Sequence, residues 1–304
     1  MGSSTVSTST IYQTLKPTLD SIVDDDMVGS ASVMKAFLQQ KTMSDAYIDD
    51  QEFGGPGLAS IKPEGAVIDI GGMRQGVTTR YRAVTFGLRM NMTKEAQEDG
   101  KYKEAIALGK RIKRSMVKTQ EYEAALLLTR ATSSTYPIGD GLALASASHT
   151  LPDGGTFSNL MTTPVTPSEQ AVIVARAQCR AMPGHDGLRG DGPQIKKVVF
   201  PVEQEGEWDK ILGSSGAPST GEYNAINVVY HKMKIEPVCN PYWNTTTSNY
   251  CFITDNENGL QYRERRKPTS KTWVVEDNET IAYAITARWA MGCSDARGIL
   301  FVDA

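Results

Sequence analysis

Four cysteines are all that 304 residues contain. Cys179, Cys239, Cys251 and Cys293 stand far apart, with no CxxC pair among them. That spacing argues against a disulfide framework or a zinc site and predicts buried, reduced thiols, as in a chain made in a reducing cytoplasm. Histidine is scarcer still. His149, His185 and His231 are too scattered to form a metal centre, and there is no HExxH. No GxxxxGK[ST] phosphate loop occurs, no GxGxxG follows a strand, and no GxSxG nucleophile elbow is present. The glycines at 184–192 lack a strand before them and a helix after them. Charge of one sign is also missing. Lys and Arg number 32 against 35 Asp and Glu, a formal net charge of −3. Such a balance gives no global attraction to nucleic acid or to a membrane surface. No apolar run approaches the ~18 residues that span a bilayer. The first residues lack a basic region followed by an apolar one, so no signal peptide is expected. Asp24-Asp25-Asp26 reads as a solvated charge run. These absences leave no catalytic residue, metal ligand or cofactor to name, and the enzyme class survives only as a soluble enzyme with an unrecognised site.

What is present is ordinary globular material, 40% hydrophobic and 22% charged, enough for one sizeable core or two smaller ones. The clearest element is Val84–Met92. Val84, Phe86, Leu88, Met90 and Met92 are apolar at period two, a half-buried strand. Thr93 follows as a helix N-cap, and Glu95 lies in the first turn, where the helix dipole favours an anion. Lys101–Ala131 is the best helix, with Asp99-Gly100 separating it from the short first turn. Ala105, Leu108, Ile112 and Met116 share its apolar face. Lys103, Lys110, Arg111, Arg114 and Lys118 fall on the opposite side. Such a face is either a solvated helix surface or a basic surface turned toward nucleic acid.

Elsewhere the pattern is more broken. Residues 1–10 are mostly Ser and Thr, a composition that builds no core alone. Val33–Leu38 suits a helical turn or two, and Gly54-Gly55-Pro56-Gly57 breaks any regular element. Residues 58–92 read as two strands, one over Ala66–Ile70 and one beginning near Val77, joined through Gly71-Gly72 and Gly76. Thr166-Pro167-Ser168-Glu169 reads as a capping box opening a helix to Ala181, which Met182-Pro183-Gly184 stops. Lys197–Phe200 is a short strand, and Pro201 opens a helix to Leu212. Strands are expected at Ile226–Tyr230, Met233–Glu236 and Tyr250–Thr254. Ile281, Tyr283, Ile285, Ala287, Trp289 and Met291 alternate along a long strand, and Arg297–Val302 finishes the chain.

Two series carry a resemblance. The strand at Val84–Met92, then Thr93-Lys94-Glu95 and the long helix, is followed by Gly139-Asp140-Gly141, Leu144, His149, Leu151, Gly154-Gly155 and Ser158-Asn159. Near the other end, Arg288-Trp289, Gly292, Asp295 and Arg297-Gly298 form R-W-x-x-G-x-x-D-x-R-G. This order resembles the major capsid proteins of tailed phages with the HK97-like fold, closest in pattern to Mu-like major head subunits. The likeness is strongest over 84–160 and 250–304.

The resemblance implies an α+β capsid subunit, not an enzyme, with no cofactor. It divides the chain into an N-terminal arm at 1–57 and an extended loop at 58–92 that lies over a neighbour. A peripheral domain with the spine helix would take 93–141 and 260–304, and an axial domain 142–259. It implies that the chain's main partner is itself, as hexamers and pentamers of an icosahedral shell, assembled in a host cytoplasm and found in the virion. Packaged double-stranded DNA would be held without sequence preference, with Lys103, Lys110, Arg111, Arg114 and Lys118 as the DNA-facing candidates. Arg80, Arg82, Arg89, Arg263, Arg265, Arg266 and Lys267 are candidates for contacts between subunits. Portal, scaffolding and cement proteins are further candidate partners; a membrane is not. Some proteins of this fold join a loop lysine to a neighbour's asparagine, but for Lys62 a solvated side chain is the expectation. The alternative within the fold is an encapsulin-like compartment enclosing a cargo enzyme.

Overall fold

The computed structural model describes residues 16–17, 32–68, 70–99, 101–163, 166–216, 226–243 and 249–303. Most of the expected arm, including its Ser/Thr-rich start and Asp24-Asp25-Asp26, lies outside the described residues. The chain runs through α1 (Val33–Phe37), β1 (Gln39–Thr42), β2 (Tyr47–Gly54), β3 (Arg74–Arg82) and β4 (Val84–Met92). Next come α2 (Lys94–Glu98), the long α3 (Tyr102–Thr129), and the short strands β5 (His149–Thr150), β6 (Thr156–Phe157) and β7 (Leu160–Met161). Then follow α4 (Glu169–Ala181), β8 (Ile195–Phe200), α5 (Glu205–Gly213), α6 (Val228–Lys232), β9 (Glu236–Cys239) and β10 (Tyr250–Thr254). The last strands are β11 (Leu260–Val275), β12 (Thr280–Cys293) and β13 (Ile299–Val302).

Two larger sheets and two cores organise these elements. Among the described residues one sheet has the order β1-β11-β12-β4 and the other β7-β13-β10-β8-β9. The first sheet lays its alternating face on α3. Ile281, Tyr283, Ile285, Ala287 and Trp289 of β12 join Met90 and Met92 of β4 against Ile112, Met116 and Leu128. The second sheet is covered on both faces. Cys251, Ile253, Ile299 and Phe301 point into the α3 core, while Tyr250, Phe252, Leu300 and Val302 point into a core with α4 and Trp208. Double coverage is why β10 and β13 read as unbroken apolar runs and not as alternation.

Helix α3 has 28 residues, about 42 Å at ~1.5 Å per residue. Its buried stripe is not straight. Ala105, Ile112 and Met116 carry it first, but Glu121, Ala124, Ala125 and Leu128 continue it on a rotated face. The turn follows α1, which docks there: the Met34 N–H donates to Glu121 Oε2 at 2.7 Å and Ser32 Oγ to Oε1 at 2.6 Å. Leu108 falls off the drifting stripe and is 41% exposed, which corrects its assignment to the buried face.

Several other expectations change. Among the described residues Ala66–Ile70 contains no strand; β3 pairs instead with β2, which the resemblance had placed in the arm. The hairpin is therefore β2–β3, and residues 55–73 are its connection. β4 leaves the hairpin and pairs with β12. The α4 cap is Ser168, whose side chain accepts from the Ala171 N–H, not Thr166; Ser168 has the extended backbone that an N-cap requires. Ile226–Tyr230 is largely helical, because the Asn227 side chain accepts from the N–H groups of Val229 and Tyr230 and starts α6. The strand expected at Met233–Glu236 begins only at Glu236.

Candidate assembly surfaces

Motif residues that stand far apart in sequence meet at two structural hubs. In the first, His149 is 1% exposed. Its Nδ1 lies 2.6 Å from Asp140 Oδ2 and its Nε2 lies 3.1 Å from Asn159 Oδ1. Asn159 also accepts from the Ser146 N–H and donates to the carbonyls of Leu144 and Ala296. Burial alone would raise the Asp140 carboxyl, but His149 and the Leu142 N–H hold it below its ordinary value. The hub ties the loop after α3 to the approach to β13. It is architectural.

The second hub holds R-W-x-x-G-x-x-D-x-R-G. Trp289 stacks on Phe86 with ring centroids 4.1 Å apart. Gly292 lets the Tyr81 ring approach, since a Cβ there would meet it at 3.0 Å. Gly298 abuts Gly259 so closely that any side chain would collide with backbone at 2.2 Å. Asp295 accepts from the Arg297 N–H and pairs with its guanidinium at 2.6 Å. Burial pushes the Asp295 carboxyl up, yet Arg297 and Asn256 more than offset this and hold it low.

Glu52, His185 and Asp295 converge beside this hub closely enough to suggest a cation site. The donor set does not fit one. Arg297 already pairs with Asp295 and contacts His185 Nε2, so the positive charge is supplied by the protein. The arrangement clamps β2 to the 184–187 loop.

The hairpin is anchored at its base by a polar lock. Asp50 of β2 pairs with Arg263 of β11 and accepts from Ser294 Oγ at 2.8 Å. Arg263 also donates to Gln261 and lies 4.5 Å from the centre of the Tyr81 ring. Burial pushes the Tyr81 hydroxyl up. At 5% exposure, Arg263 is spent inside its own subunit, which removes it from the candidates for contacts between subunits. The lock is not legible in the sequence, because Asp50 and Arg263 stand 213 positions apart.

The other candidate residues lie nearer the surface. Arg80 makes a bidentate pair with Asp49 at 2.7 Å. Arg82 is exposed, and Arg89 donates to Asn91 and lies 5.0 Å from the Trp273 ring centre. Arg266 reaches Thr286 Oγ1, and Lys267 is exposed. Arg265 is half-buried, and its Nη1 has no hydrogen-bond partner among the described residues. Lys103, Lys110, Arg111, Arg114 and Lys118 are all exposed along one side of α3. Cys179, Cys251 and Cys293 are buried free thiols, whereas Cys239 is half-buried. Burial pushes the Cys179 thiol up to about 12. Among the described residues no helix is long and apolar enough to cross a membrane.

Two apolar surfaces are left uncovered among the described residues. The hairpin connection exposes Leu58, Ile61, Val67, Ile68, Ile70 and Met73, each 71–98% accessible. Beside the hairpin base, α3, the 135–139 loop and β12 enclose a groove of about 630 Å³. Phe86, Leu126, Leu127, Trp289 and Met291 contribute its apolar lining, and Arg80, Arg82, Arg130 and Glu123 its charges.

The family model described as "Phage capsid protein" matches residues 76–302. No curated protein matches the chain. Solved structures share its fold at low identity. The capsid of a native GTA particle aligns with a TM-score of 0.60 at 12% identity over 91% of each chain. A Mycobacterium phage Adephagia structure aligns at 0.57 and 11% identity, covering 92% of this chain and 93% of that one. A virus-like particle from Pyrococcus furiosus aligns at 0.54 and 10% identity, covering 96% and 98%.

Proposed function

The chain belongs to the phage capsid protein family and is a shell-forming capsid protein of HK97-like fold, and from this premise we propose how its parts share the work. Many copies tile an icosahedral virion shell as hexamers and pentamers around double-stranded DNA. The family match over 76–302 carries this reading. It favours a phage shell over a compartment holding a cargo enzyme.

The long helix α3 and the β1-β11-β12-β4 sheet form the peripheral body; the 142–259 region forms the axial domain, whose β7-β13-β10-β8-β9 sheet also takes in β13 from the 260–304 segment expected in the peripheral domain. The extended loop is best drawn as 47–82, because β2 pairs with β3 while β4 belongs to the body. The arm, shortened to residues before β1, and the loop reach neighbouring subunits. The work is mechanical and needs no cofactor, and the chain is not an enzyme. Lys103, Lys110, Arg111, Arg114 and Lys118 face packaged DNA. Arg80, Arg82, Arg89, Arg265, Arg266 and Lys267 remain candidates for contacts with neighbours. Portal, scaffolding and cement proteins meet the shell during assembly in the host cytoplasm.

Sedimentation and negative-stain imaging of the purified protein test the reading. Megadalton shells are expected, and nuclease-protected DNA inside virions separates a genome container from a cargo compartment. A preparation that stays as small oligomers under all assembly conditions would refute it.

A further inference from the structure

We propose that α1 is a strut that fixes the angle between the peripheral body and the axial domain, and with it the curvature each copy imposes on the shell. The inference rests on the self-assembly reading and deepens it by naming the residues that set the shape of the subunit.

A helix of five residues, Val33–Phe37, does not hold in water alone, because nucleation is unfavourable and too few backbone bonds follow it. Its N-cap residue, Ser32, makes no capping bond of its own. Two other parts of the chain supply the missing partners. At the start of α1, Glu121 of α3 accepts from the Met34 N–H at 2.7 Å and from the Ser32 hydroxyl at 2.6 Å. At its end, Lys197 of β8 donates from Nζ to the Ala36 carbonyl at 2.6 Å. An anion at the N-terminus and a cation at the C-terminus both agree with the helix dipole.

The two clamps belong to different halves of the molecule. α3 carries the peripheral body, whereas β8 lies between β10 and β9 in the other sheet. Lys197 is held there by Glu236 of β9 at 3.0 Å. The apolar side of α1 spans the same junction. Met34, Phe37 and Leu38 are each 3% exposed, and they share one core with Ile112 and Met116 of α3 and with Val199 and Val238 of β8 and β9. Beyond α1 the chain is fixed at once. β1 pairs in parallel with β11 from Gln39 to Thr42, and Gln39 Nε2 donates to the Asn256 carbonyl at 2.9 Å.

The second sheet also rests on the α3 core through Cys251, Ile253, Ile299 and Phe301. Apolar packing of this kind permits the small sliding of a shear motion. Charge-assisted hydrogen bonds are short and directional, so a strut bonded to each half resists that sliding. A small change of angle in every copy, repeated around a closed shell, changes its radius.

Spin labels test the strut. Ala107→Cys in α3 and Glu207→Cys in α5, both at exposed positions, are labelled in unassembled subunits that also carry Cys239→Ser. Pulsed electron paramagnetic resonance gives the distance distribution between them. Lys197→Met and Glu121→Leu should each shift or broaden it. Combining them should add nothing, because releasing either end frees the strut. Glu121→Gln keeps an acceptor and should retain the wild-type distribution, as should Lys196→Met at the exposed lysine next door. Shells built from Lys197→Met should show a wider spread of diameters in electron micrographs. Unchanged distances in folded Lys197→Met subunits would overturn the proposal, even with a lowered unfolding midpoint, because the pair would then stabilise without setting an angle. Altered distances in shells of wild-type spread would overturn the link to curvature. If Glu121→Leu does not fold, Lys197→Met decides alone. The distance measurement needs no assembly, so it judges the strut separately from the shell reading.

Discussion

Removing Asp50 should loosen the hairpin far more than removing Asp49, its neighbour in sequence. Both aspartates pair with an arginine, but in different surroundings. The Arg263 side chain is 6% exposed and the Asp50 side chain 25%. Stripping one partner from a buried pair costs roughly 3–5 kcal/mol, because a charge is left without compensation. The expected cost of Asp50→Ala is lower, about 2–3 kcal/mol. Gln261 still accepts from Arg263, the Tyr81 ring still faces it, and Asp50 itself is partly wet. Ser294 Oγ loses an acceptor too. Replacing both partners, as Asp50→Ala with Arg263→Met, should recover much of the loss, since no buried charge then remains. The Arg80 side chain paired with Asp49 is 63% exposed, and solvent screens such pairs. Asp49→Ala should therefore be indistinguishable from wild type. Urea unfolding of unassembled subunits gives the free energies, and hydrogen exchange over 47–54 and 74–82 locates the loosening. The reasoning fails if Asp50→Ala lies within about 0.5 kcal/mol of wild type, the ordinary range for surface changes. It fails equally if Asp49→Ala costs as much.

How much of this was legible in the sequence varied with the chemistry of each element. β12 alternates cleanly because one face lies on α3; β4 alternates in sequence too, but only Met90 and Met92 of its apolar face are buried, while Val84 and Leu88 are exposed. β11, with 16 residues the longest strand, went unread. Its Arg263–Lys267 run and Pro268 look like a loop, yet the ladder accommodates them: its register is interrupted between Arg266 and Thr269, beside the proline. β2 shows no clean alternation either, with Asp49, Asp50 and Glu52 among its residues. Their partners Arg80, Arg263 and His185 lie 31, 213 and 133 positions away, a separation no local pattern can express. The motifs were legible as an order of residues, but not as a mechanism. Asp140, His149 and Asn159 turn out to be one hydrogen-bonded hub, and Gly292 and Gly298 mark close approaches of Tyr81 and Gly259. The groove could not be read at all, because strand β3, helix α3, a loop and strand β12 each supply a part of it.

Changing Lys103, Arg111 and Lys118 to Gln should leave subunit folding intact and weaken DNA retention, since fewer phosphate contacts reduce counterion release. Genome length and salt-induced DNA loss would be measured on mutant shells, and unchanged retention across salt would show that the face is simply solvated. Ser168→Ala should cost about 1 kcal/mol by removing the α4 cap, read by urea unfolding, with an unchanged midpoint counting against it. The last prediction concerns acid. Asp140 and Asp295 both have carboxyls held below their ordinary value of 3.8. Above that value both are ionised whether the chain is folded or unfolded, and their stabilisation is fully present. As the pH falls through 3.8, the unfolded chain takes up protons while the folded hubs resist, so stability drops until the pH passes below the folded values. Asp295→Asn removes one of the two contributions. The variant should be less stable at pH 7, because Arg297 loses its anionic partner, yet lose less additional stability between about pH 4 and pH 2. Unfolding free energies across that range test this directly. If the variant's curve stays parallel to wild type below pH 4, the Asp295–Arg297 pair is not a source of the acid sensitivity.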